Sequence, residues 1–450
     1  MDKRHALSAF LGLYLTAVSG PSFAALPVTI IPDVYGDGEK VSAVAIEYPK
    51  AIDGKSLQMA DYSVEGRNIS KLYTYNRAGR SEKEGGETGK YVVIEFRQEN
   101  TVPFVQKQRN DGGAPKAGVG KSGEAPMRSD RQVPHLSVKV VQSGDVSAMD
   151  GTVYPGNGDV MEGTEEAPSI IDEFKTYTYT DPDTGYSIPY NLYLPKDYDA
   201  SKSYPLYFFV ADASANINND RTPLFQGNGA TIFATEKEQA KHEAIILAPQ
   251  YTQDLVDRLG MMTTDENRWT EGLTLVTDLL HHVISHYAVD KDRIYGSGQS
   301  QGGMANIAIS DRYPDLFAAQ YLVACQWDTD EMNVLKDKNL WILVSEGDSK
   351  AYPAMNTATE NWEKLGTKVA RSEFWDSHST AEQFDSLARA SEAQGAHIHY
   401  SVFQGGNHMY TWSVAYQIEG IRDWLFAQTL SGNPVSRTES GKYMSAKLHV

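Results

Sequence analysis

Arg293-Ile-Tyr-Gly-Ser-Gly-Gln-Ser-Gln-Gly-Gly-Met304 is the stretch on which the reading of this chain turns. At its centre, Gly298-Gln299-Ser300-Gln301-Gly302 matches the pattern G-x-S-x-G. Residues 293–297 are β-prone, and residues 303–310 are helix-prone. Strand, sharp turn and helix form the setting that lifts a serine hydroxyl off the end of a sheet. A side chain at Gly298 or Gly302 would crowd such a turn. The pattern therefore predicts Ser300 as a nucleophile presented at a sheet edge. The competing explanation is an ordinary Gly/Ser turn between a strand and a helix.

The flanking sequence supports a sheet. Apolar runs at 206–210 and 244–247 are short enough for buried parallel strands, and 318–324, 340–344 and 399–403 are further candidates. Val276, Leu279, Leu280, Val283, Ile284 and Tyr287 recur at helical spacing just before the elbow strand. Helical segments are expected around 381–393 and 414–426. Runs at 174–180 and 186–194 flank Asp181-Pro-Asp-Thr-Gly185 and read as a hairpin. Strands alternating with helices imply a mostly parallel sheet covered on both faces. This α/β domain is expected over 169–430, with a tail at 431–450.

Residues 25–155 have a different texture. Runs at 27–31, 42–48, 57–64, 70–75, 91–96 and 136–141 are rich in Val, Ile, Tyr and Thr, with turn residues between them. So many short strands suggest a β-sandwich. Residues 107–131, rich in Gly, Ala, Pro and Lys, lack the apolar content that offsets ordering entropy and read as a flexible loop. The Gly-rich, acidic stretch 156–168 reads as an interdomain linker.

A chain of 450 residues suggests two or three domains. Its apolar content of 41% and charged content of 22% are ordinary for a globular protein. The net charge of -18 argues against nucleic acid and against anionic membranes as partners, and is read as a solubility feature. Lys3 and Arg4, the apolar stretch 6–20 and Ser22-Phe23-Ala24 before Ala25 have the form of a secretory signal peptide over 1–24. The mature protein is thus expected in the periplasm or outside the cell, with no membrane attachment after cleavage. Cys325 is the sole cysteine, so no internal disulfide is available. It ends an apolar run and reads as a buried thiol.

A serine hydroxyl needs a base within hydrogen-bonding reach, and the base needs an orienting acid. Behind a nucleophile elbow they follow in the order acid, then histidine. Asp348 closes the strand-and-loop Leu340-Trp-Ile-Leu-Val-Ser-Glu-Gly-Asp348, and His408 closes the loop Gln404-Gly-Gly-Asn-His408 after the next strand. All three side chains would meet at the C-terminal edge of the sheet. Asp328 and Glu346 compete for the acid, and His378, His397 and His399 for the base. His397 and His399 read as an exposed strand face, and His282 and His286 as a solvated helix face rather than a metal pair. The oxyanion is expected between the backbone N–H of Gln301 and one N–H from Ala211-Asp212-Ala213-Ser214, with Ala213 the candidate. Trp327 fits a pocket wall and a core aromatic equally well.

Gln226-Gly-Asn-Gly-Ala-Thr231, Gln239-Ala-Lys-His242, Ile246-Leu-Ala-Pro-Gln-Tyr251, Tyr295 to Gly303, Cys325-Gln-Trp-Asp328 and Asn407-His-Met-Tyr-Thr-Trp412 together resemble bacterial α/β-hydrolase esterases carrying an N-terminal immunoglobulin-like domain, relatives of polyhydroxybutyrate-depolymerase-like and feruloyl-esterase-like enzymes. The resemblance implies carboxylic-ester hydrolysis through an acyl-enzyme, with Ser300, Asp348 and His408 as the triad and no cofactor. The partner is then a small or polymeric ester. The sequence departs from the family at Ala211-Asp212, where relatives often have His-Gly. Two rivals stand beside this reading: a serine peptidase of the same fold, and a binding protein whose hydrolase domain is inactive. The β-rich domain would cap the site, bind a polymer or assemble a homo-oligomer.

Overall fold

The computed structural model describes residues 26–81, 83, 85–104, 133–432, 435–437 and 443–445. The signal-peptide reading of 1–24, the loop reading of 107–131 and most of the tail 431–450 fall outside the described residues. The chain divides into two compact units. One gathers Val44–Glu95 and Val138–Glu165 with the residues up to Thr29; the other gathers Ile30–Ala43, Phe96–Ser137 and Glu166 onward.

Among the described residues before 170, nine strands form: β1 (Val28–Tyr35), β2 (Gly38–Glu47), β3 (Tyr62–Val64), β4 (Ile69–Tyr75), β5 (Tyr91–Phe96), β6 (Lys139–Gln142), β7 (Val146–Ser147), β8 (Val153–Tyr154) and β9 (Val160–Glu166). Seven hydrogen-bond in the order β3-β6-β9-β1-β2-β5-β4, and β7 pairs with β8. Val44, Ile46, Val92, Ile94 and Val140 are buried. Among them the Tyr48 hydroxyl meets that of Tyr62 (2.6 Å) and donates to Gln142 Oε1 (2.7 Å). Two expectations need correction. The strand expected over 57–64 is a 3-10 turn at Met59–Asp61 followed by the short β3, because the Asp61 carboxylate takes the Gln58 N–H (2.8 Å) and bends the chain. Residues 160–166 are a strand, not a linker. In β9 Met161 is the one buried residue, so backbone pairing with β6 holds it and its side chains carry little apolar signal.

The second unit is built on strands β10 (Lys175–Thr180), β11 (Ser187–Tyr193), β12 (Tyr204–Val210), β13 (Ile245–Pro249), β14 (Val289–Gln299), β15 (Ala319–Val323), β16 (Leu340–Ser345), β17 (Val369–Arg371) and β18 (Ile398–Phe403). Their order is β10-β11-β13-β12-β14-β15-β16-β18-β17. The pairs β10–β11 and β11–β13 are antiparallel, and the others are parallel. The helices are α1 (Thr222–Phe225), α2 (Glu236–Lys241), α3 (Gln253–Leu259), α4 (Glu271–His286), α5 (Gln301–Arg312), α6 (Ala351–Lys364), α7 (Ala381–Glu392), α8 (His408–Ala415) and α9 (Glu419–Phe426). The expected helix over 414–426 is thus two helices.

Strand β12 shows why its apolar run is continuous. Leu206, Phe208 and Val210 enter one core with Leu247, Leu279 and Ile307, while Tyr207 and Phe209 enter the other with Ile246, Tyr321 and Trp424. Both faces are covered, so every position is apolar. The order of strand addition reverses around β12: its successor β13 lies on one side and β14 on the other, all three parallel. Ligand crevices form at such a switch point, beyond the C-terminal strand ends. Among the described residues no helix is long and apolar enough to cross a membrane.

Candidate active site

Strand β14 runs straight into α5, and Ser300 sits between them at φ 50°, ψ -120°. A non-glycine residue there is strained, and it persists where its surroundings over-determine it. They do so here. The Ser300 N–H donates to the Val323 carbonyl (3.1 Å). Asn306, fully buried in α5, donates to the carbonyls of Ser297 (2.8 Å) and Gly302 (2.9 Å) and braces both sides of the turn. A Cβ on Gly298 or on Gly302 would collide with the Val210 carbonyl oxygen. Both glycines are therefore required because β12 and the start of α5 pass so closely.

Asp348 follows β16 and is 3% exposed. Its Oδ1 accepts the N–H groups of Lys350 (3.1 Å) and Ala351 (3.0 Å), and its Oδ2 lies 2.6 Å from His408 Nδ1. Burial pushes this carboxyl up, but the hydrogen bond and charge of His408 and the two N–H groups outweigh it and hold the group below the usual carboxylate range. His408 opens α8, whose N-cap Asn407 accepts the Tyr410 N–H (2.9 Å). Its Nε2 lies 2.8 Å from Ser300 Oγ, and its ring meets Trp412 edge-on at 5.0 Å. With Nδ1 donating to Asp348, Nε2 is free to accept the serine proton. The acid and base loops touch: a Cβ on Gly347 would collide with the Gly406 carbonyl.

The oxyanion candidates come together as well. Gln301 is the first residue of α5, and Ala213 the first of a 3-10 turn, Ala213–Ala215. A first-turn N–H has no acceptor inside its own helix. In the 3-10 turn, the Ser214 N–H goes to Asp212 Oδ2 (2.9 Å) and the Ala215 N–H to the Asp212 carbonyl (3.0 Å). Asn216, at the end of the turn, donates to Gln301 Oε1 (3.1 Å).

The competitors are engaged elsewhere. Asp328 accepts the N–H groups of Asp330 (2.9 Å) and Glu331 (3.1 Å) in its own turn. Glu346 Oε2 accepts the Gly405 N–H (3.3 Å) and so supports the base loop. His378 is exposed and pairs with Asp376. His399 corrects an expectation: it is 1% exposed, stacked on Trp341 at 4.4 Å and joined to Ser391 Oγ (2.8 Å). Burial holds its pKa down at about 4, so it is neutral. Trp341 of β16 and Trp424 of α9 cover this face of β18, which is why His399 is not on a solvent face. His282 and His286 stack on α4 at 3.9 Å, and no group of three metal-ligating side chains occurs among the described residues. Burial also raises the Cys325 thiol well above its usual range. Trp327 is 3% exposed, packs in the core and donates to Glu331 Oε2 (2.7 Å), so it is a core aromatic and not a pocket wall. A cavity of about 190 Å³ lies beside the base helix, lined by Val102, Phe225, Gln226, Met409 and Trp412 with Glu39. The supporting residues Asn306, Gln226 and Asn216 were not recognised in the sequence; an Asn six positions after the nucleophile was the one signal available.

Two family models match the chain: "Esterase Ig-like N-terminal domain" over residues 27–155 and "Putative esterase" over residues 182–418. No curated protein sequence matches. Among solved structures, a thermostable esterase aligns with a TM-score of 0.66 and 24% identity, covering 90% of this chain and 99% of its own. A feruloyl esterase module from Clostridium thermocellum, complexed with sinapinate, aligns with a TM-score of 0.40 and 14% identity, covering 58% of this chain and 92% of its own.

Proposed function

The chain belongs to the Esterase family and is a carboxylic ester hydrolase, and from that premise we propose an exported serine esterase working through Ser300, His408 and Asp348. The observation that carries the proposal is the hydrogen-bonded chain from Ser300 Oγ to His408 Nε2 (2.8 Å) and from His408 Nδ1 to Asp348 (2.6 Å), set at a strained turn. His408 takes the hydroxyl proton as Ser300 Oγ attacks the ester carbonyl carbon. Asp348 holds the imidazole tautomer and stabilises the imidazolium. The N–H groups of Gln301 and Ala213 receive the oxyanion. Collapse expels the alcohol, which leaves with the proton from His408, and the acyl group stays on Ser300. Water, deprotonated by His408, then attacks the acyl carbon and releases the acid and free Ser300.

The cavity beside His408 receives one side of the ester. Its lining of Val102, Phe225, Met409 and Trp412 favours an uncharged group, and Asp37 and Glu39 in the same lining disfavour a carboxylate. Export rests on the basic and apolar N-terminal pattern, and sequencing the N-terminus of protein recovered outside the cytoplasm tests it. The enzyme reading is tested with p-nitrophenyl esters from acetate to octanoate, with Ser300→Ala as the control. Turnover that vanishes in the mutant is expected, and the chain-length profile sizes the cavity. Faster cleavage of matched peptide substrates than of esters would overturn it in favour of a peptidase.

A further inference from the structure

The turn after β12 contributes no side chain to the reaction, yet its backbone is tied at both ends. Asp212, 2% exposed, is its N-cap. Its carboxylate takes the second N–H of the turn, from Ser214 (2.9 Å), and its carbonyl takes the third, from Ala215 (3.0 Å). Such capping leaves the first N–H, that of Ala213, to an external acceptor. A single 3-10 turn has poor hydrogen-bond geometry and little rigidity of its own. Gln226, twelve residues beyond Ser214 in the chain, supplies it from outside. Its Nε2 donates to Asp212 Oδ1 (2.5 Å) and also to Ser214 Oγ. At the far end, Asn216 Nδ2 donates to the side chain of Gln301 (3.1 Å), whose own N–H opens α5.

We propose that Gln226 and Asn216 are positioning residues that hold the N–H groups of Ala213 and Gln301 as a fixed pair aimed at the oxyanion. The inference rests on the serine-esterase reading and names the parts that make its oxyanion site rigid. Donors fixed before the reaction need no reorganisation as charge develops, which is why oxyanion sites contribute so much to rate. Gln226 locks the Asp212 cap, and the cap decides which N–H stays free. Asn216 couples the turn to the residue bearing the second donor. Neither amide bonds to Ser300 or His408, so both act on the reacting atoms through the backbone they hold; Gln226 also lines the cavity beside His408, and the KM readout separates that contact from the positioning role. The arrangement also explains how Ala211-Asp212 serves without a glycine: the cap, not a flexible backbone, selects the donor.

The test uses the full-length enzyme, p-nitrophenyl acetate and a trifluoromethyl ketone that forms a tetrahedral adduct. Gln226→Leu and Asn216→Ala should each lower kcat about ten- to a hundredfold, a part of the 10²–10³ lost when an oxyanion donor is removed outright. KM should stay within about threefold, and ketone affinity should fall by the same factor as kcat/KM. The acid limb of the kcat/KM profile should not move, because His408 and Asp348 are untouched. Should Gln226→Leu fail to fold, Ser214→Ala removes one of its two contacts and should show the same split on a smaller scale. A kcat within twofold of wild type, or a KM that rises in step while ketone affinity holds, overturns the proposal. Ser300→Ala separates the two levels. If it abolishes turnover while both amide variants stay fully active, the positioning role alone is lost. If it stays active, the esterase reading itself is lost.

Discussion

Two turns lie side by side at the edge of the sheet, one after β14 and one after β12. The first carries Ser300 and announces itself in sequence, because the role proposed for it falls to a side chain and its shape demands glycines at Gly298 and Gly302. The second carries Ala213 and has no motif; the role proposed for it falls to a backbone N–H, which any residue but proline possesses. Asp212 and Asn216 flank it, Gln226 bonds to it from twelve residues beyond Ser214, and Asn216 ties it to Gln301, residues that are ordinary in type. Function placed in side chains is readable locally. Function placed in the backbone becomes visible once its supports are assembled in space.

Experiments can set the two turns against each other. The largest effect is expected from Ser300→Ala, which should cut kcat by about 10⁴-fold or more, as measured on p-nitrophenyl acetate. Asp348→Asn should cost about 10⁴-fold through the wrong imidazole tautomer. It also has a pH signature. The folded Asp348 carboxyl lies below its unfolded value of about 3.9, so its stabilisation is full above that pH and is lost as pH falls through the folded value. Urea midpoints measured from pH 6 down to pH 2.5 should therefore fall more steeply for wild type than for Asp348→Asn; equal slopes would show that Asp348 gains nothing from its partners. Gly302→Ala probes where the two turns meet, since its Cβ would strike the carbonyls of Val210 and Ala211. A loss of about 3 kcal/mol in urea unfolding is expected, with activity falling alongside. Asp212→Asn presents an amide to Gln226 in place of one carboxylate oxygen, and about a tenfold fall in kcat is expected with little change in stability. A wild-type kcat would mean that the second turn needs no such support. Trp327→Phe should do least: about 1 kcal/mol from the lost bond to Glu331, with KM unchanged, in keeping with a core position.

The strands of the central sheet were legible because burial on both faces makes them uniformly apolar, as in β12 and β16. Asp348 and His408 stood out in the sequence because each lies in the loop after such a strand, in the order acid then histidine behind Ser300. Two readings failed where tertiary context overrode composition, and a third stood open. Strand β9 looked like a linker because backbone pairing holds it and few of its side chains are buried. His399 looked exposed because strand alternation says nothing about whether a second layer covers the polar face, and here Trp341 and Trp424 do. Trp327 was left undecided because the loop after a strand can turn inwards or outwards, and its bond to Glu331 turns it into the core.

By itself the sequence determined the fold class, and it marked Ser300, Asp348 and His408, the three side chains that the structure joins in one hydrogen-bonded chain. Each is encoded in a local pattern: an apolar run of strand length, glycines where a Cβ cannot fit, a polar residue at a strand end. The tertiary structure alone decided which N–H groups of the turn after β12 are taken up by Asp212, which histidines are buried and which side chains bond to that turn. Those outcomes depend on groups far apart in the chain competing for the same hydrogen-bond partners, and that competition is settled when the backbone brings them within about 3 Å of one another.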